Sequence, residues 1–272
     1  MFGKLLAQEW IDHKKTVVLG TLTVALVIVA LSFPLQMLGI GVVSGMASGA
    51  AVGGAGAAVV ATAVILAIGY WRTMRGPRAY FTFSVPARGR EIFWAKVVFA
   101  YLVLVASILI VLLAVLSIMW HYGSKAGISF SQALAPLWNT LTAMGTGYFV
   151  AGLVLTLVVL FLDVAAVAAL ISITAQEKYQ KFGVGGFVSA LVVLYVASQV
   201  VSVVGMLAIP GVMNLESGSL SWGFMLPQFV EALRTGGQPN VLGLGFIPAN
   251  FVLLGGVTWW GVRSIERHTS VQ

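Results

Sequence analysis

Uncharged apolar runs close to twenty residues long recur along this chain, and they restrict its fold more than any other feature. Thr16 to Leu35 is the first, without one charged side chain. About twenty such residues cross the ~30 Å hydrocarbon layer of a bilayer as a helix. A helix is also the form in which one segment satisfies all its own backbone groups in lipid. Further runs lie at about Gly53 to Tyr70, Val97 to Met119, Gly147 to Thr174, Val184 to Ile209 and Leu242 to Val262. The chain therefore reads as an all-α membrane protein with six transmembrane helices. Its composition agrees: 8% charged residues and a mean hydropathy of +1.01, against about 25% charged in soluble domains.

The polar stretches between the runs set the orientation. Arg72 to Lys96, RTMRGPRAYFTFSVPARGREIFWAK, holds six of the fifteen Lys and Arg and one acid, Glu91. Short loops rich in Lys and Arg stay in the cytoplasm during insertion. With six spans, thirteen of the fifteen basic residues fall on the side of both termini; Lys125 and Arg234 fall on the other. Both termini are thus expected to be cytoplasmic. The net charge of +7 and pI near 9.9 point to anionic lipid headgroups rather than nucleic acid, because the cations sit between apolar spans. Nothing at the start resembles a cleaved signal peptide.

Within the basic loop, Tyr80, Phe81 and Phe83 stand between Arg75 and Arg78 on one side and Arg88 and Arg90 on the other, with Pro86 closing the stretch. Three rings on a cationic loop fit a docking element whose aromatics enter a groove on a soluble partner while the arginines meet acidic groups around it. The same residues also suit an interfacial belt in the headgroup layer.

Residues 1–15, MFGKLLAQEWIDHKK, set Phe2, Leu5, Leu6 and Trp10 on one side of a helix and Lys4, Gln8, Asp12 and Lys15 opposite. That pattern predicts an amphipathic helix lying in the inner interface. Glu9 falls in the apolar sector; it is expected to snorkel to water, with the basic loop as the alternative source of a partner. After the first span, Gly41, Gly45, Gly49 and Gly53 recur every fourth residue, which predicts one helix face made for close packing, including across a dimer. Trp120, His121 and Tyr122 mark the outer interface. A weakly apolar stretch, Leu134 to Leu141, is expected to lie along the membrane, and the interval Gln176 to Lys181 to be cytoplasmic. Residues 211–241 are half apolar and predict an outer, partly re-entrant loop, allowed where protein buries the backbone. Asp163 is the one acid inside a span. It either fixes packing by hydrogen bonds to groups such as Thr156, Ser198 or Gln199, or faces a translocation path.

Catalytic constellations are missing from the sequence. Cysteine is absent, and His13, His121 and His268 are spread over both membrane edges, so they cannot share a metal. There is no HExxH, no GxSxG and no GxxxxGK[ST] phosphate loop. The chain is not expected to be an enzyme or to hold a cofactor itself.

The amphipathic start KLLAQEWIDHKK, the six spans and the loop AYFTFSVPARGREIFWAK together resemble the permease subunits of ABC-2 type transporters. Val85-Pro86 stands where that family favours Leu-Pro, Arg88 and Arg90 form the basic turn, Ile92-Phe93 the apolar pair and Lys96 the entering lysine. The resemblance implies a single permease domain over residues 1–272 in a multi-pass protein of the bacterial plasma membrane. It implies a dimer with a second permease subunit and an exporter lean. It also implies cytoplasmic ATP-binding subunits, which hold ATP and magnesium and seat loop 72–96 as their coupling element. Competing classes are an ion-coupled secondary transporter using Asp163 and a membrane anchor for a soluble partner; an intramembrane enzyme is disfavoured.

Overall fold

The computed structural model describes residues 2–38, 40–74, 88–142, 145–176, 179, 182–215 and 217–268. Five of its helices are long and apolar enough to cross a membrane, so the chain is a membrane-embedded, predominantly helical protein. It divides into two compact units, one ending at Val164 and the other beginning at Ala165.

The first unit opens with α1 (Phe2–His13), a π-helical segment (Lys14–Leu22) and α2 (Thr23–Met37), which form one unbroken 36-residue helix. Residues 2–15, expected as an interfacial helix, are continuous with the first apolar helix rather than set off from it by a break. Their predicted apolar side also divides, since Leu5 and Leu6 are half-buried while Phe2 and Trp10 are exposed. α3 (Gly41–Met74) and α4 (Gly89–Lys125) follow, then α5 (Phe130–Thr142) and the first part of α6 (Thr146–Thr174). Pro34 does not end α2, which runs on to Met37.

Small residues let α2, α3 and α4 pack closely. Ala25, Ala51, Ala55, Ile110 and Ala114 form one buried cluster, and Val17, Leu66, Phe99 and Val103 form a second at the π-helical segment. The inward face of α3 is Ser44, Ala47, Ser48, Ala51, Ala55 and Thr62, a helical spacing of three and four. Gly41, Gly45, Gly49 and Gly53 lie on a different face and are exposed, with nothing within 4 Å of where a Cβ would stand. The predicted tight contact is thus not made among the described residues. On α3 close approach falls instead at Gly54, where a Cβ would come 3.0 Å from Ile28 Cγ2, and at Gly69. α5 contains Leu134 to Leu141; it packs beside α4, with Trp120 and Phe130 rings 5.1 Å apart and Ala133 against Gly123.

The second unit contains the end of α6, α7 (Gly183–Ala208), β1 (Val212–Asn214), β2 (Leu220–Ser221), α8 (Leu226–Thr235), β3 (Val241–Gly243) and α9 (Phe246–His268). Residues 211–241, expected as a partly re-entrant loop, form a small antiparallel sheet in the order β2-β1-β3 with one amphipathic helix. Val212 pairs with Ser221 and Gly243, and Met213 with Leu220 and Leu242. The sheet buries Val212, Met225 and Val241. α8 starts with Pro227 in its first turn and ends at Gly236 at φ 70, where a left-handed residue closes the helix without a Cβ penalty.

This sheet also explains the sixth run. Strand β3 takes Val241 to Gly243, so helix begins only at Phe246, and α9 is not among the five helices apolar enough to span. α7 and α9 meet through glycine: a Cβ at Gly205 would fall 2.7 Å from that of Ala249. Asn250, half-buried within the apolar run, donates from Nδ2 to Ser202 Oγ at 2.7 Å and to the Phe246 carbonyl at 2.9 Å.

Candidate functional site: the root of the basic loop

Most of the predicted docking residues, Arg75, Arg78, Tyr80, Phe81 and Phe83, lie outside the described residues. Both roots of their loop are described. α3 delivers Tyr70 and Arg72 on one side, and α4 delivers Arg88, Arg90 and Lys96 on the other. Arg88 caps α4 in an extended conformation, with φ −67 and ψ 140, and it and Arg90 are exposed. Glu91 sits in the first turn, where a negative charge meets the positive end of the helix dipole.

Glu9 does not snorkel to water; it is paired with Lys96, through Oε1 and Nζ. Side-chain exposure is 12% for Glu9 and 8% for Lys96, so this is a buried ion pair joining the start of the first helix to the exit of the basic loop. The Lys96 ammonium also lies 5.8 Å from the Tyr70 ring centroid, within cation–π range. One turn beyond Glu9, His13 Nδ1 is 3.1 Å from the Glu9 carbonyl oxygen and 3.6 Å from Oε2. The His13 ring fits against Gly69 of α3, where a Cβ would stand 2.5 Å from Nε2. Phe99 packs under both Trp10 and His13, at 6.5 and 5.6 Å between centroids. One layer thus ties α1, α3 and α4 together where the loop leaves the bundle.

That layer has a counterpart at the far end of the unit, where Lys125 Nζ approaches Ser44 Oγ at 3.4 Å. Lys96 and Lys125 are separated by about 43 Å of helix at ~1.5 Å per residue. A bilayer with its headgroups measures ~40–45 Å, so the two lysine layers match its two faces. Beside the Lys125 end, His121 is buried, while Trp120 and Phe130 join Phe33, Leu113, Leu116 and Ser117 around an open apolar groove of about 280 Å³.

Asp163 projects from the middle of α6 and is exposed. Two of its expected partners are engaged elsewhere: Thr156 donates to the Gly152 carbonyl and Ser198 to that of Tyr195. Among the described residues Asp163 has no hydrogen bond or ion pair. Two residues earlier on α6, Phe161 stacks on Trp94 at 5.9 Å and meets Tyr101 edge-on at 5.3 Å.

The sequence offered a signal for the Glu9 pair that composition hides. Leu6, Glu9 and His13 share one helix face, so an acid flanked by inward residues calls for an inward cation. Comparison with protein-family models, curated proteins and solved structures finds no match for this chain.

Proposed function

We propose that this chain is the permease subunit of an ABC-type exporter, coupled to separate ATP-binding subunits through the loop between α3 and α4. The observation that carries the reading is the buried Glu9–Lys96 layer at the loop's root. A loop that only links two spans needs no anchor; a loop that receives force from a partner does, because movement must reach the helices rather than be absorbed at the ends. Exposed Arg72, Arg88 and Arg90 flank the loop with positive charge, which favours an acidic rim on the partner. In this reading a second permease subunit completes the translocation path, and ATP and magnesium are held by the partner ATPase.

The test is purification of the tagged chain from its own host with and without Tyr80, Phe81 and Phe83 replaced by Ala. The intact chain retains a soluble ATPase, and the triple variant inserts normally but loses it at least tenfold, as loss of aromatic anchors does. Equal retention by both, or none by either, rejects the assignment.

A second reading rests on Asp163. An exposed, unpaired carboxylate at mid-span is costly in lipid, on the order of 2.5–3.5 kcal/mol, and suits an ion-coupled carrier as well as a permease path.

A further inference from the structure

The first spanning helix is not α-helical throughout. Between α1 and α2, Lys14–Leu22 is a nine-residue π-helix. Its lower end is marked by Thr23, whose amide and hydroxyl both reach back five residues to the Val18 carbonyl, the hydroxyl at 2.8 Å. The local sequence supports the wider turn. Thr16, Val17, Val18, Thr21 and Thr23 are β-branched and Gly20 is the weakest helix former after proline. Bonds of the i→i+5 type are rare and recur at functional positions.

What holds the segment is as telling as its form. Above it, α1 is fixed by Glu9 on Lys96 and by His13 in the notch at Gly69. Below it, α2 is fixed by Ala25 among Ala51 and Ala55, and within the segment Thr62 donates to Thr21 at 3.0 Å. The π-helix therefore has a clamp above and below it and is itself seated by Val17 and Thr21, and of these contacts only the upper clamp is ionic.

We propose that Lys14–Leu22 is a register-shifting hinge, with the Glu9–Lys96 pair as the catch that holds α1 in the π register. Each turn that tightens from i→i+5 to i→i+4 bonding displaces α1 relative to α2 by one residue, a rotation of about 100° and ~1.5 Å along the axis. A point on the surface of α1 then travels about 8 Å for a helix of 10–12 Å diameter. Glu9 and His13 leave their seats in that movement, so the tight register is reached only when the catch opens. Lys96 lies about two turns into α4 from Arg88, where that helix begins, so displacement of the basic loop reaches the catch along α4 and is the natural release. The hinge is a property of this chain's fold and stands whether or not the loop's partner is an ATPase.

The chain lacks cysteine, so spin labels can be placed without background. Labels at Ile11→Cys and Ile68→Cys, both exposed positions, report the α1 to α3 distance by pulsed electron resonance in lipid nanodiscs. The unmodified hinge gives one distance. Lys96→Met adds a second population displaced by several ångströms. Deleting Gly20 removes a residue that the π turn holds in excess; the segment closes to α-type bonds, the first distance is retained, and Lys96→Met no longer splits it. An ordinary α-helix would instead turn α1 away by about 100° on that deletion and lose the first distance, and this outcome overturns the proposal. A single unchanged distance in Lys96→Met overturns it as well. Should the deletion prevent folding, the double variant Val18→Ala and Gly20→Ala, which favours α-helix, replaces it: a shift toward the second population supports the hinge, and an unchanged distribution rejects it.

Discussion

At the scale of single residues, the informative positions are charges in places where charge is expensive. Glu9 and Lys96 solve the problem by pairing. Removing one member of a buried pair leaves the other uncompensated, which typically costs about 3–5 kcal/mol. Asp163 is exposed and has no such partner among the described residues. Asp163→Asn separates a charged role from a packing role because the amide keeps size and hydrogen-bonding capacity but cannot ionise. If the carboxylate serves transport, the variant loses most activity, with its pH dependence flattened, while its thermal stability stays within about 1 kcal/mol of the parent. Full activity with an unchanged pH profile would leave Asp163 as a packing residue. The tyrosine and phenylalanines of the loop belong to the same scale, and their triple replacement reads the coupling contact directly.

At the scale of elements, α3 presents two faces of small residues with different fates. The Ser/Ala face carries α2 and α4, while Gly41, Gly45, Gly49 and Gly53 open outward. Four glycines in a helix cost roughly 1 kcal/mol each relative to alanine. Such a face is retained where another backbone comes close, and a second copy of the chain is the reading consistent with the proposed permease. Gly45→Leu has room inside the chain, so folding of the monomer should be preserved. The expected outcome is a loss of the dimer in crosslinking or mass photometry, by tenfold or more in dissociation constant. If Gly45→Leu dimerises as the parent does, the glycine face is lipid-exposed. The hinge is likewise an element-scale device: it converts a local change in hydrogen-bond type into rotation of a whole helix.

At the scale of the whole molecule, the number of crossing helices turns on α9. Lys96 and Lys125 stand about a bilayer's thickness apart along α4, and α9 decides the position of the C-terminus. Its 23 residues suffice in length, but Pro248, Asn250, Gly255 and Gly256 lower its apolarity. Asn250 is satisfied by Ser202, which removes the main cost of inserting it. Six spans are therefore expected. Single cysteines at Arg90, Lys125 and Trp222, treated with an impermeant thiol reagent on intact cells, should react at 125 and 222 and be protected at 90. A C-terminal tag should be protected too; labelling of that tag from outside would mean that α9 turns back and only five helices cross.

The membrane class, the positions of the apolar helices and the basic loop were legible in the sequence, because hydrophobic run length and charge placement are properties of the chain itself. Glu9 was expected to reach water, since amphipathicity does not say whether a polar group meets solvent or, as here with Lys96, a partner inside the fold. The run from Leu242 read as helix, since a three-residue strand is recognisable only when β1 is there to pair with it. Periodicity found the glycine stripe on α3 but could not say which neighbour it faces; the close inward approaches belong to Gly54 and Gly69, singled out by the positions of Ile28 and His13. The π-helix at Lys14–Leu22 had only weak local propensity behind it. It became a hinge through the clamps on either side, and those contacts, between residues 87 and 41 positions apart, exist only once the chain has folded.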